Sequence, residues 1–85
     1  MNKKNTEREY TLKNGTTTTN LVTYIIDIVN GATNLSKMLG VSKASITAYE
    51  KRKYIPAIYA ADIESCTKRS VTSKMICNEA KRFLK

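Results

Sequence analysis

The side chains best equipped for chemistry lie between Thr33 and Lys53, and the chemistry open to them is hydrogen bonding and ion pairing rather than bond making. Ser42, Lys43, Ala44, Ser45, Thr47 and Ala48 are small, hydroxylated or basic, and on a helix opened by Ser42 they point outward. Lys43 can donate to guanine O6 or N7, Ser45 and Thr47 can meet several base edges, and Ala44 and Ala48 can touch thymine methyls. Thr33 and Asn34 open the preceding helix, where free backbone amides and side-chain donors can hold a phosphate. Lys51, Arg52 and Lys53 follow directly, and a basic loop in that place faces phosphates. The plainer account of those three is a solvated charge run, and the plainer account of the whole segment is a helical hairpin that binds nothing.

The charge of the chain points the same way. Fifteen Lys and Arg against seven Asp and Glu give a formal net charge of +8, a field that attracts polyanions, of which nucleic acid is the commonest inside cells. Ribosomal proteins, membrane-surface peptides and solubility tails are just as basic, so charge selects a class and not a partner. The absence of His removes histidine metal sites and the usual proton shuttle, and two Cys cannot complete a structural zinc site alone. No catalytic step, cofactor, metal or small-molecule substrate is expected. Cys66 and Cys77 can form at most one bridge, and no secretory apolar segment precedes the domain, so reduced thiols packed as small core residues in a cytoplasm are expected. The longest dense apolar stretch, Leu21 to Val29, is interrupted by Thr23 and Asp27 and is too short to cross a bilayer, so no membrane partner is expected.

Holding such residues outward requires two short helices that cross steeply, and the apolar spacing predicts them within a larger helical set. Leu21, Ile25, Ile28 and Val29 fall at helical intervals behind a capping Asn20, and that first helix ends at Gly31. The second runs from Thr33 to Leu39 with Leu35, Met38 and Leu39 on one face, and the third from Lys43 to about Lys51 with Ile46 and Tyr49. A fourth runs from Pro56 to about Cys66 with Tyr59, Ile63 and Cys66. A fifth, capped by Thr72, runs from Ser73 towards Phe83 with Ile76, Ala80, Phe83 and Leu84 on one side and Lys74, Lys81 and Arg82 on the other. Gly40 can close a helix in the left-handed region, Ser42 is a good N-cap, and Pro56 suits a first turn where no amide hydrogen is needed. Leu35, Leu39, Val41 and Ile46 form the shared seam, Ser36 is small where the two helices must come close, and Tyr49 closes the far side.

Residues 1–20 have a different character, with sparse apolar side chains and crowded Asn, Lys and Thr. Asn14-Gly15 between β-prone residues is a hairpin signal, but an isolated hairpin with little to bury is marginal. The expectation is a flexible basic tail over 1–20 followed by one all-α, five-helix domain over 21–85, since 85 residues leave room for a single domain.

The spacing Leu-x-x-x-Leu-Gly-Val-Ser-x-x-x-Ile-x-x-Tyr, from Leu35 to Tyr49, resembles the helix-turn-helix of Cro-like phage repressors, particularly their all-helical branch, and of the related YdaS-type antitoxin family. The likeness continues through Lys51-Arg52-Lys53, the Ile55-Pro56 that opens the next helix and the Ile63-Glu64 within it, over roughly residues 21 to 72. Tyr49 stands where those proteins more usually carry Trp, and both ends of the chain are longer than the family's short form. The resemblance implies a lambda-repressor-like domain of Cro type whose third helix reads a double-stranded DNA operator. It also implies a transcriptional repressor, of a phage or mobile element, that acts by operator occupancy and is nucleoid-associated through its DNA. A homodimer on an inverted repeat is expected because one short helix contacts few base pairs. The apolar stripe of the fifth helix is the candidate dimer surface, with coverage of the protein's own core as the plainer account. Two readings stay beside this one: an antitoxin that binds a toxin and autoregulates its operon, and an RNA-binding module. Tyr24, Tyr54 and Tyr59 could stack on unpaired bases, although aromatics at helical spacing are usually core.

Overall fold

In a computed structural model that describes residues 9–83, five α-helices follow a two-stranded hairpin. The strands are β1 (Tyr10–Thr11) and β2 (Thr17–Thr18), and the helices are α1 (Leu21–Ile28), α2 (Ala32–Leu39), α3 (Lys43–Arg52), α4 (Ala60–Cys66) and α5 (Ser73–Phe83). The helical boundaries follow local chemistry. Asn20 caps α1 by accepting from the amides of Val22 at 3.0 Å and Thr23 at 3.4 Å. Gly40 closes α2 at φ 71°, a left-handed conformation that costs glycine nothing, and Ser42 caps α3 by accepting from the Ser45 amide at 3.1 Å. Thr72 caps α5 through the amide of Met75 at 3.2 Å.

The fourth helix departs from its expected form. Pro56 leads into a 3-10 turn, Ala57–Tyr59, and α-helix begins only at Ala60, because Tyr59 sits at φ −96° and ψ 4° between the two. Glu64 ties this region to α5: its carboxylate accepts from the backbone amide of Ser73 at 2.7 Å, and that hydrogen bond holds its carboxyl below the ordinary range.

Leu21, Ile25, Leu35, Ile46, Ile55, Ile63, Val71 and Ile76 are fully buried and make one core to which every helix contributes. Ile55 and Val71 reach it from connecting segments, where no helical period marks them. Met38, expected on the apolar face of α2, is instead exposed. Ile76 and Ala80 of the α5 stripe are buried in the protein's own core and Phe83 is half-buried, so the plainer account of that stripe is the one observed; Leu84 lies outside the described residues. Cys66 and Cys77 are free thiols packed against the core, and burial pushes the Cys66 thiol up, away from the reactive thiolate.

The segment from Tyr10 to Asn20, expected as mobile tail, is ordered. Tyr10 pairs with Thr18 and Thr11 with Thr17, and the connection is a Lys13-Asn14-Gly15 loop in which Gly15 donates to the Leu12 carbonyl at 3.0 Å with φ 90°. This hairpin is not isolated, which is why its marginal intrinsic stability does not decide the outcome. Tyr10 is buried and stacks on Tyr24 of α1, ring centroids 4.9 Å apart. The Lys13 amide donates to the Asp27 carboxylate at 2.9 Å, and its ammonium donates to Asn30 Oδ1 at 2.6 Å. The rest of the expected tail, residues 1–8, lies outside the described residues.

Candidate nucleic-acid interface

Helix α3 is held from behind and left bare in front. Ile46 is its one buried residue, and it enters the seam made by Leu35 and Leu39 of α2, with half-buried Val41 at the turn. Ser36 lets the two helices meet: it is buried, and its hydroxyl turns back to donate to the Thr33 carbonyl at 2.7 Å, so no polar atom is stranded in the seam. After Gly40 the amide of Val41 returns to the Ser36 carbonyl at 3.0 Å, which fixes the sharp corner.

On the outward side Lys43, Ala44 and Thr47 are exposed and share one face one turn apart, and Lys51 lies a turn further along it. Ser45 and Ala48 are half-buried at its edge. The hydroxyls are less free than their residue types imply. Ser42 and Ser45 engage each other, with their oxygens 3.1 Å apart, in the cap of α3. Thr47 donates to the Lys43 carbonyl at 3.3 Å, so what its oxygen offers outward is an acceptor, suited to adenine N6 or cytosine N4.

The family model described as bacterial toxin YdaS matches residues 22–76. The chain belongs to the YdaS family. The matched stretch takes in α1 to α4 and the first turn of α5, and it makes the protein a small Cro-like or toxin–antitoxin-related regulator built on a helix-turn-helix. Searches of curated proteins and of solved structures returned no match. The hairpin, residues 10–18, lies outside the stretch that the YdaS family model covers.

Within this YdaS-family domain the remaining candidate residues divide. Lys51, Arg52 and Lys53 are exposed together at the end of α3, which Lys53 terminates by turning left-handed at φ 71°. Thr33 is exposed in the first turn of α2, whose N-cap, Gly31, supplies no side-chain hydrogen bond, so the backbone amides there are open to an outside acceptor. Asn34, expected beside Thr33 at the same helix end, is exposed but engaged within the protein. Its amide nitrogen donates to the carbonyls of Val29 at 2.9 Å and Asn30 at 3.3 Å, closing the end of α1 where Asn30 and Gly31 take positive φ. It orients α2 on α1 and has little left to give a phosphate.

Contacts that the sequence reading did not include set the pose of α3. Glu50, near the end of α3, accepts from the Thr23 hydroxyl at 2.7 Å through its carboxylate and from the Asn20 amide nitrogen at 2.9 Å through its carbonyl. Asn20 therefore serves twice, its oxygen capping α1 and its nitrogen tethering α3. Tyr49 packs beside Tyr59, ring centroids 6.4 Å apart, and burial followed by the neighbouring phenol raises its pKa. The cap function of Asn20 is readable from sequence, but nothing local signals a partner thirty positions away.

Proposed function

We propose that this protein is a sequence-specific, double-stranded DNA-binding transcriptional repressor of Cro type, encoded by a phage or mobile element, that acts by occupying its operator. The observation that carries the reading is the contrast across α3: one buried side chain and two tethers behind, and an exposed face of Lys43, Ala44 and Thr47 in front. A helix fixed so firmly yet used so little by the core is suited to enter a major groove, with Lys51, Arg52, Lys53 and the first turn of α2 on the flanking phosphates. The protein works by binding alone, without a catalytic step or cofactor, in the cytoplasm. It pairs on an inverted repeat, although α5 lends no support to the pairing because its stripe is occupied. No helix among the described residues is long and apolar enough to cross a membrane.

The family's description as a toxin favours a second reading, in which the chain belongs to a toxin–antitoxin pair and acts through a protein partner. Salt dependence tests the first. On duplexes selected from a random pool, log affinity falls against log salt with a slope of about −0.9 per phosphate neutralised, and Lys51→Ala, Arg52→Ala and Lys53→Ala each flatten it by up to that amount. Unchanged slopes in all three remove the loop from the interface. Growth arrest on expression that Lys43→Ala and Thr47→Ala leave intact favours the protein partner.

A further inference from the structure

The place where the hairpin is fastened says more than that it is ordered. Its turn is tied to the C-terminal end of α1 by the Lys13 amide on Asp27 and by the Lys13 ammonium, which reaches Asn30 Oδ1 at 2.6 Å and the Ile28 carbonyl at 3.5 Å. Asn30 in turn receives Asn34 of α2 at 3.3 Å. Two hydrogen bonds therefore separate the turn from the first turn of α2, the helix end that the DNA-binding reading sets against phosphates.

The outer surface of the turn has the composition of a backbone-contacting element. Lys13, Asn14, Gly15, Thr16 and Thr17 are all exposed, and the one carboxylate bonded to the turn, that of Asp27, accepts from the Lys13 amide. Asn14 Oδ1 accepts from both the Thr16 amide at 3.0 Å and the Thr16 hydroxyl at 2.7 Å, so its amide nitrogen is left facing outward as a donor. At the tip, an added Cβ on Gly15 would meet nothing within 4 Å, so the backbone there is bare and approachable. A cation, an amide donor and the Thr17 hydroxyl are groups that hold phosphate oxygens without reading sequence, whereas the Thr16 hydroxyl spends its proton on Asn14.

We infer that the hairpin turn is a second DNA-contacting surface, which grips the phosphates flanking the bases read by α3 and lengthens the footprint beyond the helix-turn-helix. The inference rests on the proposed DNA-binding function and adds a partner surface to it. The hairpin lies outside the stretch that the YdaS family model matches, while its Tyr10 packs into the core of the domain.

The test compares two duplexes carrying the selected site, one with about a helical turn of flanking DNA on each side and one trimmed to the site. Asn14→Asp keeps the acceptor for Thr16 and adds a charge, and Thr17→Glu adds one on an exposed strand position; thermal unfolding by circular dichroism confirms that both are folded. At low salt each variant binds the long duplex about fivefold more weakly than the parent, the effect of one like charge ~4 Å from a phosphate in water. The parent loses a similar factor on trimming, the variants lose little more, and high salt removes the difference. Equal weakening on both duplexes, or a parent that binds its site specifically but is indifferent to trimming, overturns the inference and leaves the hairpin as a brace for Tyr24. A parent that selects no duplex at all overturns the DNA-binding reading itself, a different result from either.

Discussion

Helices α3 and α5 are nearly the same length, and each ends in basic side chains, yet they meet the rest of the molecule in opposite ways. Helix α5 is strongly amphipathic and sinks Ile76, Ala80 and even the stem of Glu79 into the core, the Glu79 carboxylate lying 3.7 Å from Arg82. Helix α3 is barely amphipathic and buries Ile46 alone. Small domains need every apolar face they have, so the strong stripe marks the helix that closes the core, and the weak one marks the helix kept for an outside surface.

The comparison breaks most readily at Ile76. Replacing it with Ala leaves a cavity at a fully buried site, and a loss of roughly 2–5 kcal/mol is expected in denaturant unfolding, enough to threaten a domain of this size. The loss is independent of protein concentration if α5 serves its own monomer. A loss that grows as the protein is concentrated shows that Ile76 stabilises a dimer, which returns α5 to the role of an interface.

A smaller change sharpens the account of α3. Asn20→Ala removes a helix cap and one tether together, and about 1 kcal/mol of stability is expected to go with the cap. Affinity for a selected duplex falls as well, because the C-terminal half of α3 loses a restraint 2.9 Å long. Asn20→Ser, which restores the cap without the reach to Glu50, recovers the stability but not the affinity. Recovery of both shows that the tether does not position α3.

How much of this was legible in the sequence follows from how local each cause is. The caps at Asn20, Ser42 and Thr72, the corner at Gly40 and the seam of Leu35, Leu39 and Ile46 are set by neighbours within a turn or two, and the structure places them as read. Causes that act across the chain were not legible. The hairpin is ordered by Tyr24, Asp27 and Asn30, which lie in and just beyond the next element, and Glu50 finds its partners at the start of α1. Asn34 shows the limit within a motif: an Asn in the first turn of a helix can face a phosphate or close the helix before it. Here its amide nitrogen goes to the carbonyls of Val29 and Asn30, where Asn30 and Gly31 take positive φ.

The face of α3 gives the smallest effect on folding and the most direct test. Lys43→Ala and Thr47→Ala alter exposed side chains, and each is expected to change stability by no more than about 0.5 kcal/mol. The decisive measurement is their affinity for the selected operator beside a set of single-base substitutions in it. The account predicts that both variants bind the operator more weakly and lose roughly 1–3 kcal/mol of discrimination at the base each residue faces, while staying as stable as the parent. Variants that match the parent in affinity and in discrimination at every base would contradict the claim that α3 reads DNA.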